Sequence, residues 1–236
     1  MSFLTAEWRK LVLANYEISP DLLKPYIPPH TELDLWNGTC YVSLVGFMFV
    51  NTKVLGLSIP YHKNFEEVNL RFYVRHKYQG EWRRGVVFIK EIVPRAAITF
   101  VANTIYKEHY ETMKMNHQWL EHKDHRHVRY EWVKNGRLNY INVNASLKPQ
   151  PIAQDSETEF ITEHYWGYTK NGDNASLEYE VTHPRWSAYD ILQYQIDVDF
   201  ERVYGDTFAD LTNQIPRSVM LAEGSEITVE NKRKIS

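Results

Sequence analysis

The sequence predicts an α+β fold that is predominantly antiparallel β with a few packed helices, and three observations carry that expectation. Asn-Gly dipeptides stand at Asn37-Gly38, Asn135-Gly136 and Asn171-Gly172, each between β-compatible runs, and this pair favours the tight turns that join antiparallel strands. The run from Phe65 to Arg75 alternates apolar and polar residues with the period of two that a strand imposes. Aromatic residues make up 14% of the chain, which supplies material for a large core.

A length of 236 residues lies within what one barrel or sandwich reaches, and no repeat, low-complexity tract or Pro/Gly-rich linker divides the chain. One domain over residues 1–236 is expected, with Pro149-Gln150-Pro151 as a loop between two halves. Ser19-Pro20-Asp21 reads as an N-cap, a first-turn proline and a dipole-favoured acid opening a short helix, which Pro28-Pro29 must end. The first Asn-Gly turn joins Leu33–Trp36 to the long apolar run Thr39–Val50. Further strands are expected at Phe65–His76 and Trp82–Val93, joined through Gln79-Gly80. Ile98, Val101, Ala102 and Ile105 recur at helical spacing within Arg95–Tyr106. Ser156 and Glu159 have capping-box spacing ahead of Phe160 and Ile161, which predicts a further helix.

Several function classes are disfavoured. Net charge is -3, and the longest basic block, Lys232-Arg233-Lys234, is too short to track a phosphate backbone, so no nucleic-acid partner is expected. No apolar stretch approaches the ~18 residues that span a bilayer, and Met1–Trp8 does not read as a signal peptide. Cys40, the single cysteine, excludes an intrachain disulfide and a cysteine-based zinc site, and it reads as a small core residue. A cytoplasmic location follows as the expectation. Serine-hydrolase, phosphate-loop and dinucleotide fingerprints are missing.

The candidate site starts from the Phe65–Arg75 strand. Val68, Leu70, Phe72 and Val74 share one face, while Glu67, Asn69, Arg71, Tyr73 and Arg75 share the other. Two readings of the polar row stay open, bulk solvent or a partly enclosed space. The second follows if the strand pairs between Cys40–Val50 and Val86–Ile89, both apolar on both faces. Glu67 and Arg71 would then be ion-paired or in contact with a ligand. His183 would share a strand face with Tyr179 and Val181, either as an acid–base group or as a core histidine packed on Trp186. His109, His117, His122, His125 and His127 crowd a charged segment that reads as a solvated strand end, so no metal is predicted.

The strand motif Glu67-Val68-Asn69-Leu70-Arg71-Phe72-Tyr73-Val74 resembles that of the YqjF-like family, an uncharacterised bacterial family of the acetoacetate decarboxylase-like superfamily. Trp8, the stretch through Pro20, Leu23, Ile27 and Pro28, the run Tyr41–Phe47, the run Glu159–Tyr165, and Val181, His183, Pro184 and Trp186 resemble it in the same order. The resemblance implies a closed, cone-like β-barrel with helices packed on it and a pocket inside. In the decarboxylases and their aldolase-like relatives, a pocket lysine forms a Schiff base with a keto acid, with glutamates and an arginine nearby. Aligned on that segment, Lys107 stands at a proline and Glu108-His109 at the lysine pair, so the Schiff-base apparatus is expected to be absent. A one-residue slip would instead make Lys107 the nucleophile. Glu67 and Arg71 match a pocket glutamate and the motif arginine, and His164 replaces the arginine of the Glu159–Tyr165 motif.

The resulting expectation is a pocket protein for a small anionic or carbonyl-bearing metabolite, without a cofactor. Glu67, Lys107 and His183 are the catalytic candidates, and Asn69, Arg71, Tyr73, Glu108, His109 and Glu163 the ligand contacts. Two alternatives stand beside it. One is a Schiff-base lyase, decarboxylase or aldolase-like, acting on a keto acid through Lys107. The other is a non-catalytic module that forms a homo-oligomer through Trp8, Trp36, Tyr165 and Trp166.

Overall fold

The computed structural model describes residues 2–105 and 107–236. The chain begins with β1 (Leu4–Glu17), a helical turn α1 (Pro20–Leu23) and the two-residue β2 (Glu32–Leu33). Three long strands follow, β3 (Tyr41–Val54), β4 (Phe65–Tyr78) and β5 (Glu81–Val93), then α2 (Ala96–Ile105) and the short β6 (Tyr110–Thr112). A meander of β7 (Lys114–Glu121), β8 (Arg126–Lys134) and β9 (Arg137–Ala145) leads through β10 (Gln150–Pro151) to α3 (Glu157–Thr162). The remainder is β11 (Trp166–Lys170), β12 (Ser176–Thr182), β13 (Ser187–Tyr189), β14 (Ile191–Asp197), α4 (Phe200–Tyr204), β15 (Ser218–Val229) and β16 (Arg233–Ile235).

These strands form two sheets. The larger runs β10-β13-β15-β1-β3-β4-β5-β11-β12-β16, and β12 pairs in addition with β15 at Val181 to Val229 and Thr182 to Thr228. Its pairs are antiparallel except those of β5 with β6 and β11. The smaller sheet, β14-β9-β8-β7, packs with α4 on one face of the larger. Among the described residues, no helix is long and apolar enough to cross a membrane.

Both faces of β4 are covered, which is why its alternating pattern matters. Val68, Leu70, Phe72 and Val74 join Val42, Leu44, Tyr130, Trp132, Ile141 and Phe200 in the core between the sheets. The opposite face carries Glu67, Asn69, Arg71 and Tyr73, all buried, toward a second apolar cluster that includes Val45, Phe47, Phe49, Phe160 and Ile161. A polar row buried in this way must be paired or used.

The turn chemistry holds with two corrections. Asn135 and Gly136 both take positive φ, 48° and 78°, and close the β8–β9 hairpin with Lys134 opposite Arg137. Gln79-Gly80 joins β4 to β5 in the same way. The Asn37-Gly38 turn is closed by one bridge, Trp36 to Thr39, because β2 leaves to pair with β4 instead of β3. Asn171-Gly172 lies in a longer loop, where the Asn171 amide donates to Ala175 O, since β12 begins only at Ser176.

The expected helices form with their caps. Ser156 Oγ accepts from the Glu159 amide at 3.1 Å, and Ser19 Oγ accepts from the Asp21 amide. Within α2, Ile98, Val101 and Ala102 border one cavity, as their spacing requires. The side chain of Ile105 and all of Tyr106 lie outside the described residues.

Candidate ligand pocket

The cavity has a volume of about 260 Å³ and is bordered in turn by residues of β1, β3, β4, β5, β11, β12 and β15. The strand register orders its wall. Phe49 stands opposite Phe65, Phe47 opposite Glu67, Val45 opposite Asn69 and Ser43 opposite Arg71. Paired residues point to the same side of a sheet, so the wall passes from aromatic at the Phe65 level to polar between Glu67 and Arg71. Beyond Tyr73 the end is closed by α3, whose Phe160 ring lies 5.6 Å from that of Tyr73 and 5.6 Å from that of Trp36.

A bulge in β5 sets the charge of the pocket. Lys90 pairs with Leu70 and Phe88 with Arg71, so Ile89 is an extra residue that reverses the alternation. Uninterrupted alternation from Val86 and Phe88 would turn Lys90 inward. Instead Glu91 faces the cavity opposite Asn69, and Lys90 reaches outward to Glu111 at 2.9 Å and to Val203 O.

Three carboxyls therefore meet in the cavity. Glu67 accepts from Asn69 Nδ2 at 2.9 Å and from the Tyr110 hydroxyl at 3.1 Å. Glu108 accepts from Thr169 Oγ1 at 2.6 Å and from the Tyr179 hydroxyl at 3.1 Å. Gly167 makes the last contact possible, because a Cβ there would lie 2.2 Å from Cζ of Tyr179. Glu91 is buried with Oε2 unpartnered. The cation of this group is Arg71, which donates one 3.4 Å bond from Nη2 to Ile161 O and lies over the Tyr73 ring. Arg71 Nε and Asn69 Oδ1 are likewise buried without partners.

Burial dominates the electrostatics. It pushes Glu67 up to about 7, against the bonds from Asn69 and Tyr110 and the attraction of Arg71. Glu108 also rises to about 7, because burial outweighs the bonds from Thr169 and Tyr179, and the charge of Glu67 adds to the rise. Glu91 is raised well above the carboxylate range by burial and then by the charges of Glu108 and Glu67. His164, which borders the cavity, is pulled down to about 4, first by burial. Its neutral ring meets Asp34 Oδ2 at 3.2 Å and Arg84 Nη2 at 3.3 Å through Nε2, and its Nδ1 is buried without a partner. Carboxyls that keep protons near neutral pH can donate hydrogen bonds and exchange protons with a bound carbonyl or carboxyl group.

The sequence-derived candidates divide on placement. Glu67, Asn69, Arg71 and Glu108 border the cavity. Tyr73 shares their strand face but spends its hydroxyl on Ser43 at 2.7 Å. Lys107 is exposed and donates to Asn171 Oδ1 at 2.7 Å, and among the described residues no lysine borders the cavity. His109 is exposed and contributes its carbonyl to the Glu91 amide. Glu163 accepts from the Tyr165 hydroxyl. His183 follows the end of β12 and stacks on Trp186 with centroids 4.2 Å apart, burial lowering its pKa.

The aromatic residues expected at an oligomer surface pack within their own chain. Trp8 lies on Phe47 and Trp186, Trp36 on Phe160, Tyr165 on His183 and Trp166 beneath Arg83.

Glu91, Tyr110 and Tyr179 were not singled out as site residues from sequence. A carboxylate inside the apolar run ending at Val93 was the available signal for Glu91. For Tyr179, the face shared with Val181 was visible, and both residues do border the cavity. Tyr110 carried no signal.

Comparison with known proteins agrees with this architecture. Acetoacetate decarboxylase from Legionella pneumophila is similar over 99% of this chain and 87% of its own, with 13% identity and a TM-score of 0.66. An acetoacetate decarboxylase-like enzyme from Sphingomonas wittichii RW1 gives 9% identity and a TM-score of 0.67, covering 100% of this chain and 94% of its own. The enduracididine biosynthesis enzyme MppR, complexed with pyruvate, gives 12% identity and a TM-score of 0.67 over 100% and 91%. At these identities the likeness establishes the fold alone. In sequence, the uncharacterized protein YqjF of Bacillus subtilis (strain 168) is 34% identical over 71 residues, 30% of this chain and 29% of that protein. The family model DUF2071, described as an uncharacterized conserved protein, matches residues 5–226, and the chain belongs to that family.

Proposed function

We propose that the chain is one acetoacetate decarboxylase-like domain over residues 1–236, whose larger sheet closes as a cone-like barrel around a binding site for a small anionic or carbonyl-bearing molecule. The β12–β15 pairing, which links two strands far apart in the sheet order, supports the closure. One observation carries the binding site: Arg71 Nε, Asn69 Oδ1, Glu91 Oε2 and His164 Nδ1 are all buried without partners on residues that border one cavity. Each such atom costs about 1–3 kcal/mol when left unpaired; a ligand carboxylate or carbonyl oxygen can accept from Arg71 Nε, whereas the acceptor Asn69 Oδ1 calls for a hydroxyl or carboxyl proton on the same ligand. Arg71 holds a carboxylate or polarises a carbonyl, and Glu67 and Glu108 supply acid–base groups beside it. The structurally similar MppR, complexed with pyruvate, agrees with a ligand of this chemistry.

A Schiff-base route has no support from the cavity wall, which lacks a lysine among the described residues. A cytoplasmic site of action suits the single, buried cysteine.

Titration with pyruvate and acetoacetate, alongside a thermal-shift panel of short oxo acids, tests the reading. At least one probe should stabilise the protein, and Arg71→Met should reduce that probe's affinity about tenfold or more. A panel without any response, or an unchanged affinity in Arg71→Met, would sink it.

A further inference from the structure

The charged groups of the cavity gather in one band, and most of the remaining wall is apolar, with Trp8 Nε1 and Thr52 Oγ1 as its buried, unpartnered polar atoms. Toward the start of β4 the wall is aromatic: Phe49 stacks on Phe65 with centroids 4.7 Å apart, and Trp8 meets Phe47 at 5.4 Å and Phe49 at 5.9 Å edge-on. The same end leads to a rim where Ile59 is 47% and Val101 38% exposed, with Thr52 and His62 as polar neighbours. The opposite end is shut by α3, against whose Ile161 carbonyl Arg71 leans. The cavity therefore has a closed polar depth and an apolar exit.

A three- or four-carbon oxo acid would fill only the polar band. From Asn69 to Phe65 the strand rises four residues, ~13 Å, a span that an extended chain of roughly ten carbons covers. A short ligand leaves that aromatic wall uncovered and so binds more weakly than one that also buries it.

We infer that the ligand is amphipathic: a carbonyl or carboxylate head on the Glu67–Arg71 band, and a medium-length aliphatic or aryl-alkyl tail along Trp8, Phe47, Phe49 and Phe65 toward Ile59 and Val101. This deepens the head-group reading above and rests on it for the orientation of the ligand. The head enters first, and the tail points at the rim.

The test is a titration with butanoate, hexanoate, octanoate and decanoate, below their micellar concentrations. The dissociation constant is expected to fall roughly threefold to fourfold per added methylene, from the ~0.8 kcal/mol that burying each one contributes. Ile59→Glu, at an exposed rim position where folding tolerates charge, is expected to weaken decanoate about tenfold and butanoate less than twofold. A flat series in the wild type overturns the inference, as does an equal effect of Ile59→Glu on both probes. Arg71→Met separates the two readings. If it abolishes binding at every length while the wild-type series is flat, the tail is wrong and the head-group site stands. If the slope per methylene persists with affinities unchanged in Arg71→Met, the tail stands and the head-group site falls.

Discussion

Asp34, Arg84 and His164 form one buried polar cluster, and Glu67, Glu91, Glu108 and Arg71 form another, each setting carboxyl groups against one guanidinium. In the first, one carboxylate meets one guanidinium at 2.6 Å and one imidazole at 3.2 Å. Burial works to raise the pKa of Asp34, but the bonds from His164 and Arg84 outweigh it and hold the group below its usual value. In the second, three carboxyls share one guanidinium, burial wins, and the acids hold their protons upward toward neutral pH. The difference is between a carboxylate fully paired with cationic and imidazole partners and three carboxyls that outnumber their one guanidinium. The first belongs to stability; in the function proposed above, the second gives up stability for a binding site.

The largest loss of stability expected of a single substitution breaks the ion-paired cluster. Asp34→Ala should cost about 2–3 kcal/mol, below the ~3–5 kcal/mol of a fully buried broken pair, because Arg84 is 33% exposed. Scanning calorimetry should record a Tm lower by roughly 5–10 °C. Glu91→Gln removes an ionisable group that the cavity does not satisfy, and it should leave Tm unchanged or raise it. Equal losses in the two variants would erase the distinction.

The next effect is a pH dependence of opposite sign in the two clusters. Glu67 and Glu108, raised to about 7 from 4.5, bind more protons folded than unfolded between about 4.5 and 7. Each therefore lowers stability as pH rises through that window, by at most about 1.4 kcal/mol per pH unit, and the loss is complete above 7. His164, lowered to about 4 from 6.5, binds more protons unfolded, so its contribution rises with pH from about 4 to 6.5. Urea denaturation at pH 4 and pH 7.5 should show the double variant Glu67→Gln, Glu108→Gln matching the wild type at the lower pH and exceeding it at the higher. A gain of the same size at both values would mean the acids titrate normally.

The smallest effect is expected at Lys107. Lys107→Ala should change stability by less than about 0.5 kcal/mol and leave probe binding intact, because the ammonium lies outside the cavity. Borohydride reduction with acetoacetate, followed by mass spectrometry, should find this lysine unmodified. An adduct there would restore the Schiff-base alternative.

How much of this was legible depends on how local each cause is. The turn at Asn135-Gly136, the cap at Ser156 and the cavity-facing stripe of α2 follow from spacing and backbone preference within a few residues, and they stand where the sequence puts them. The one-bridge turn at Asn37-Gly38 shows the limit of that reasoning, since the preference of the turn was met while β2 found a better partner in β4. Glu67, Asn69 and Arg71 were legible as a row, and Glu108 by its position in the family alignment. Tyr110 was not, and Tyr179 only as a member of the Val181 face, because both reach the carboxyls from other strands and no local pattern reports those bonds.

By itself, then, the sequence determined that β4 has one apolar and one polar face, because the period of a strand is a property of the backbone. Only the tertiary structure decided that the polar face is enclosed, since enclosure needs β1, β12 and β15 brought around it from both ends of the chain. It also decided the charge within. A single extra residue in β5, a matter of pairing against β4, turned Lys90 out and Glu91 in, and gave the pocket three acids and no lysine among its described walls.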